Sequence, residues 1–328
     1  MPTSLVTGGA GFLGSHVANE LLAMNHSVVI VDDLSGGFIS NIPRQAIFIE
    51  GSILDEELIE ELFAQYKFDY VYHLAAYAAE GLSHFIKNFN YRNNLIGSSN
   101  LINASINHAV KCFVFTSSIA VYGNQPPPMS EEMLPTPEDP YGIAKYAVEL
   151  DLQSSLRQFG LNHIIFRPHN VYGPQQNIGD RYRNVIGIFM NQILKNEPLT
   201  IFGDGSQTRA FSYIDDVAPY IARSVEIKEA YNQRFNIGSN DIHSLNELAD
   251  FVSKAMNSET SISYLSKRNE VTHAVANHDK FEKTFSVRNP ITLEEGLSKM
   301  AKWVQVVGSI PTSKFSNLEI TRGLPDGW

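Results

Sequence analysis

Three residues in the middle of the chain have the types and spacing to handle the proton of an alcohol. Ser118 ends an apolar run, KCFVFTSS; Tyr141 opens a helical pattern after a proline-rich loop; Lys145 follows four residues later. Residues i and i+4 share one helix face, so the Lys145 ammonium can lie beside the Tyr141 phenol. A free tyrosine has a pKa of about 10, and a neighbouring cation lowers it. Bringing it to about 7 takes about 4 kcal/mol, at roughly 1.36 kcal/mol per unit. Ser118 is then placed to donate to the oxygen that loses its proton. Such a set is a base for oxidising an alcohol. Tyr-x-x-x-Lys is common by chance, so its weight rests on the elements that position it.

Those elements begin at the N-terminal end. A short apolar run, SLVT, leads into Gly8, Gly11 and Gly14, and an apolar helical pattern follows from Phe12 and Leu13. In a strand–turn–helix context the first glycine permits the turn, the second lets the backbone approach a pyrophosphate, and the third allows helix to pack on strand. The phosphates meet the positive end of the helix dipole. The next strand, SVVIVDD, ends in Asp32, 18 residues after Gly14. A carboxylate there accepts from both ribose hydroxyls and repels a 2′-phosphate, and Asp33 adds to the repulsion, so NAD is expected rather than NADP.

The alternation then continues. AIFIEGS, DYVYHLAA, CFVFTSS and HIIFRP read as strands; Asp55 to Tyr66, Tyr91 to Asn107 and Tyr141 to Phe159 read as helices. Nearly continuous apolar strands alternating with helices predict an α/β fold, a Rossmann-type doubly wound parallel sheet. Ligands bind such a sheet at the carboxyl ends of its strands, which is where the glycines, Asp32, Ala75, Ala76, Ser118 and the segment after Arg167 fall. After about Asn170 the pattern changes, and a smaller mixed α/β C-terminal lobe is expected to cover the cleft. The expected division is a nucleotide-binding domain over 1–174, with a returning segment near 209–242, and a substrate lobe over 175–328, mainly 175–208 and 243–328. A helix over Ser244 to Met256, capped by its serine, and a returning strand at RFNIGS belong to this reading. Residues 309–328 carry no clear periodicity and suit a packed tail or a dimer contact.

Composition excludes several classes. Of 328 residues 43% are apolar and 18% charged, which suits a full core and argues against disorder. A net charge of −10 is wrong for wrapping nucleic acid. The single cysteine, Cys112, lies in an apolar run and excludes an internal disulfide or a cysteine metal cluster. The chain opens directly into a strand, with no signal-peptide pattern and no apolar run of membrane-spanning length, so a soluble cytoplasmic protein is expected.

The motifs GGAGFLG, HLAA, TSSIAVYG, PYGIAK, RPHNVYGP and GDGSQTRAFSYIDDVA, in this order, resemble the extended short-chain dehydrogenase/reductase family and, within it, the sugar-nucleotide epimerases of UDP-glucose 4-epimerase type. The resemblance runs from Leu5 to about Asp279. It implies a cofactor, NAD, held by Gly8, Gly11, Phe12, Leu13, Gly14, Asp32, Asp33, Ser52, Ile53, Leu74, Ala75, Ala76, Asn94, Tyr141, Lys145 and His169. It implies Tyr141 as the base, Lys145 as its partner and Ser118 as the hydroxyl that positions the sugar alcohol. Tyr77, Ser118, Asn170, Asn184, Val185, Arg209 and Arg268 are implied to meet a nucleotide-sugar substrate, the two arginines at its diphosphate, where a guanidinium fork pairs two oxygens at once. A homodimer through the helices around 90–107 and 141–159 is the family expectation.

Departures from the pattern narrow the chemistry. Ser52 stands where the family usually has an acidic residue near the adenine, and His169 replaces a common aromatic. The 3,5-epimerases of GDP-mannose type place a cysteine two residues after the serine, and the 4,6-dehydratases an Asp-Glu pair before Val-Tyr-Gly; here those positions are Ile119 and Ala120. Epimerisation at C4 is therefore expected, with no metal. The alternatives are other 4-keto chemistry, above all 4-epimerisation or decarboxylation of a uronic acid met by Arg181 or Arg183, and a non-catalytic NAD-binding protein. Tyr77, Glu80 and His84, beyond a strand end, are candidates to face the sugar.

Overall fold

The computed structural model describes residues 1–267, 271–287, 289–312 and 314–325. Its centre is a seven-stranded sheet built from β1 (Thr3–Thr7), β2 (Ser27–Asp32), β3 (Ile47–Glu50), β4 (Tyr70–His73), β5 (Cys112–Thr116), β6 (His163–Pro168) and the strand Gln233–Ile237. From one edge the order is Gln233–Ile237, β6, β5, β4, β1, β2, β3. Every pairing in this sheet is parallel. The strand order reverses between β1 and β4, and ligands on open α/β sheets bind at that switch point.

Both faces are covered, which is why the strands read as unbroken apolar runs. On one face Leu5, Val29, Val31, Val71, Phe113, Phe115 and Ile165 meet α2 (Glu56–Tyr66), α5 (Gly97–Asn107) and α6 (Pro140–Phe159), through Ile59, Leu62, Phe63, Leu101, Val148 and Leu152. On the other, Val6, Ile30, Val114 and Phe166 meet α1 (Phe12–Ala23) and the C-terminal helices. Cys112 is fully buried there, and burial pushes its thiol up.

The stretch expected as one helix from Tyr91 starts earlier and is not uniform. After α3 (Glu80–Ser83), α4 (Lys87–Tyr91) runs into a π-helical turn, Arg92–Ile96, and then into α5. The wider turn inserts one residue into the ladder, which apolar periodicity does not register. Beyond β6 lie α7 (Val185–Leu194), α8 (Ala218–Arg223), α9 (Leu245–Ala255), α10 (Asp279–Phe285) and α11 (Leu293–Val307), with small two- and three-stranded sheets among them. Ser244 caps α9 in a reciprocal pair with Glu247, and Thr292 caps α11 with Glu295 in the same way. Among the described residues no helix is long and apolar enough to cross a membrane.

Candidate active site

A cavity of about 1030 Å³ opens over the carboxyl ends of the strands, between the sheet and the C-terminal helices. Its nucleotide end is made by the β1–α1 turn. Gly8 adopts φ +72°, and a Cβ on Gly14 would sit 2.1 Å from the Gly8 carbonyl oxygen, so only glycine lets α1 approach the strand this closely. No side chain caps α1, whose first residues, with Gly11, line the cavity. Its leading N–H groups and the dipole behind them are therefore available to an anion.

Asp32 lines the same end. Its carboxylate accepts from the Ala10 amide at 3.0 Å and the Leu34 amide at 2.8 Å. Burial raises its pKa, and these amides oppose the rise. Asp33 points into a turn, accepting from the Ser35 amide at 3.0 Å and from its hydroxyl. Leu74, Ala75, Ala76 and Ile53 complete this wall. Ser52 does not: its hydroxyl accepts from the Leu54 amide at 3.2 Å and shapes the turn. Asn94 also departs from expectation. It is fully buried in the π turn and clamps both backbone groups of Tyr77, at 2.9 and 3.1 Å, and the Asn90 amide at 2.7 Å. It holds the loop after β4 rather than lining the cavity.

At the reacting end, β5 delivers Ser118 and α6 delivers Tyr141 and Lys145. Asp139 caps α6, accepting from the Gly142 amide at 2.9 Å. A Cβ on Gly142 would lie 2.6 Å from the Ala120 carbonyl oxygen, so the glycine after Tyr141 seats α6 on the turn that follows Ser118. The Ser118 hydroxyl lies near enough to the Tyr141 phenol to favour its ionised form, and it accepts from the Ala120 amide at 3.1 Å. Lys145 is 2% exposed; its ammonium lies 5.8 Å from the centre of the Tyr141 ring and donates to the Thr116 carbonyl at 2.8 Å.

The charge states differ from the simple expectation of a lysine lowering a tyrosine. Burial pushes the Tyr141 phenol up, the Ser118 hydroxyl and Arg183 oppose this, and Asp139 and Glu80 add to it. Burial also brings Lys145 down to about 7, against the pull of Glu149. The ammonium is as deeply buried as the phenol it was expected to lower, so desolvation outweighs their attraction.

Beneath Lys145 lies a polar group that the sequence reading passed over. Glu149 is fully buried and pairs with the equally buried Arg167, accepting at 2.9 Å from Nε and also from Nη2, and it accepts from the Ser117 hydroxyl at 2.6 Å. Arg167 donates onward to the Tyr122 hydroxyl at 2.7 Å. The signal was present: Tyr141, Lys145 and Glu149 stand at i, i+4 and i+8 on one helix face.

Tyr77, Glu80, His84, Asn170, Asn184 and Val185 all line the cavity. Asn170 and Asn184 have left-handed backbones, and their amides donate to the Ala210 and Val171 carbonyls. His169 stacks on His278, with ring nitrogens 3.0 Å apart; burial brings them to about 3 and about 4, so both are neutral at ordinary pH. Arg209 reaches the cavity wall and donates to the carbonyls of Thr208, Val271 and Thr272. Arg268 lies outside the described residues. Among the described residues no cluster of His, Cys, Asp or Glu is placed to hold a metal ion.

Comparison with known proteins agrees with this geometry. Residues 4–238 match the NAD dependent epimerase/dehydratase family. The chain belongs to that family. It is similar to a putative UDP-glucose 4-epimerase of Methanocaldococcus jannaschii, 33% identical over 92% of this chain and 98% of the relative. The UDP-glucose 4-epimerase of Thermotoga maritima, solved with UDP-glucose, superposes with a TM-score of 0.88 at 35% identity, over 93% of this chain and 99% of that one. A UDP-glucuronic acid 4-epimerase of Bacillus cereus, solved with UDP-glucuronic acid and NAD, gives 0.85 at 29% identity, over 93% and 99%. NAD is the cofactor of this family of enzymes, and the site fits it. The uncapped end of α1 suits the pyrophosphate and Asp32 suits a ribose. Thr116 Oγ1, buried without a hydrogen-bond partner among the described residues, lies at the same cavity.

Proposed function

We propose that this chain epimerises a nucleotide sugar at C4 through a transient 4-keto sugar. The observation that carries the reading is the convergence of Ser118, Tyr141 and Lys145 on the wall of one cavity, at the open end of a dinucleotide cradle. Ile119 and Ala120 beside them line the cavity and have no proton to give. Bound NAD supplies the acceptor and donor of the C4 hydride and a positively charged ring. Tyr141 takes the proton from the C4 hydroxyl, Ser118 holds that oxygen, and Lys145 orients the pair through the Thr116 carbonyl. The 4-keto sugar then turns within the cavity while its nucleotide stays anchored between Asn184, Arg209 and α7. The return of hydride and proton to the other face completes the inversion.

A second reading keeps the first step and changes the sugar. Arg181 and Arg183 line the cavity, and Arg183 lies 5.0 Å over the Tyr77 ring, paired with Asp180 at 2.6 Å. A guanidinium there suits the carboxylate of a uronic acid, which would be epimerised or decarboxylated. Proton NMR in D₂O with UDP-glucose, UDP-N-acetylglucosamine and UDP-glucuronic acid separates these. A new anomeric signal without deuterium uptake is the expected result and names the sugar. A pentose signal would mean decarboxylation. Deuterium at C3 or C5 would refute simple C4 inversion and point to Glu80 or His84, which also line the cavity.

We further propose that the fold divides at about residue 174, with 209–242 returning to the nucleotide-binding layer. A homodimer is proposed through the π turn with α5, and through α6, where Ile96, Ile143 and Leu150 stand exposed.

A further inference from the structure

Among the described residues, the segment that follows α11 has no helix or strand and is largely exposed, yet it is fastened to both sides of the cavity. At one end Ile310 exchanges two hydrogen bonds of 2.9 Å with the Asn191 amide of α7. In the middle, the Phe315 ring lies 5.5 Å from that of Tyr77 and 5.0 Å from that of Phe89, and its amide donates to the Tyr182 hydroxyl at 3.3 Å. At the other end the Glu319 carboxylate accepts from the amides of Asn88 and Phe89, at 2.7 and 2.8 Å. The amides of Glu319 and Ile320 donate to the Phe85 carbonyl at 2.9 and 3.1 Å.

We propose that residues 310–312 and 314–320 form a strap that positions the sugar end of the cavity and thereby contributes to substrate affinity. The proposal rests on the nucleotide-sugar reading above. Tyr77, Phe89 and Tyr182, the three aromatic residues that Phe315 touches, all line the cavity, as does Thr312 of the strap itself. Helix α4 opens the helical run that continues through the π turn into α5, and it is preceded by Ile86, which offers no side-chain cap. Glu319 supplies from a distant part of the chain the acceptors that the leading amides of this helical run lack. What α4 holds in turn is close to the chemistry. Asn90 donates to the Pro140 carbonyl at 2.8 Å, one residue before Tyr141, and meets Asn94, the clamp on Tyr77. The strap thus acts through the wall on which a hexose must turn, and it leaves the dinucleotide cradle untouched.

The test uses the full chain, a chain ending at Gly308, and the variants Glu319→Ala, Glu319→Gln and Phe315→Ala. Binding of UDP and of UDP-glucose is measured by calorimetry, and amide hydrogen exchange is followed over 85–91. Glu319→Ala and Phe315→Ala are expected to bind UDP like the full chain and UDP-glucose about tenfold more weakly, the cost of ordering a loosened wall, and the truncated chain is expected to lose at least as much affinity for UDP-glucose. Exchange over 85–91 should quicken, NAD content should be unchanged, and Glu319→Gln, which keeps an acceptor, should fall between. Equal affinity for UDP-glucose in the full and truncated chains overturns the strap. Parallel loss of UDP and UDP-glucose overturns it too, because the effect is then general loosening. A full chain that binds neither ligand refutes the nucleotide-sugar reading itself, and the strap's role with it.

Discussion

Replacing Lys145 by methionine should abolish turnover and stabilise the protein, and the gain should depend on pH. The ammonium is 2% exposed, and burial brings its pKa down to about 7 from the ordinary 10.5. Between those values the unfolded chain binds more protons than the folded one, so stability rises with pH through this window. Below pH 7 the whole penalty is present, about 5 kcal/mol at 1.36 kcal/mol per unit, and at pH 7 it is still about 4 kcal/mol. Methionine of similar length removes it. Against this stands the lost hydrogen bond to the Thr116 carbonyl, about 2 kcal/mol for a charged donor. Glu149 is not orphaned, because Arg167 still pairs with it. The net expectation is a gain of about 2 kcal/mol near pH 7, shrinking to nothing or reversing near pH 10. Urea unfolding of both proteins, freed of nucleotide, at several values between pH 6 and 10 measures this as a shift in midpoint at constant slope. A variant less stable than the parent at pH 7, or a difference that does not move with pH, would refute the picture of a lysine whose charge is penalised by burial.

Four further outcomes follow from the same geometry. Tyr141→Phe should lower kcat by about 10² to 10⁴ through loss of the base, while NAD still co-purifies, as absorbance after denaturation reports. Glu149→Ala should do the opposite of the lysine change, costing about 3 to 5 kcal/mol in urea unfolding because it strands the buried Arg167 guanidinium. Asp32→Asn should raise affinity for NADP relative to NAD by about tenfold, some 1.4 kcal/mol, in fluorescence titration, because the repelling charge is gone. Ile143→Asp with Leu150→Asp should convert a dimer to a monomer by light scattering, with circular dichroism unchanged; an unaltered mass would place the contact elsewhere.

Local order along the chain determined a good deal. A strand, a glycine-spaced turn and a helix must lie next to one another in space, so Gly8, Gly14 and Asp32 could be placed at one end of the cavity from spacing alone. The same holds for Tyr141 and Lys145 on one helix face, and for Ser118 at the end of an apolar strand in a parallel sheet. What the tertiary structure decided depends on partners that spacing does not encode. Asn94 has a side chain suited to a cofactor, but the π turn points it inward at Tyr77. Arg209 reaches the cavity with donors directed at carbonyls some 60 residues away. The aperiodic segment after α11 gains its role only where Glu319 meets α4. The charge of Lys145 was the least legible of all: sequence shows an ammonium next to a phenol, whereas burial, a property of the whole packed core, sets whether the ammonium keeps its proton.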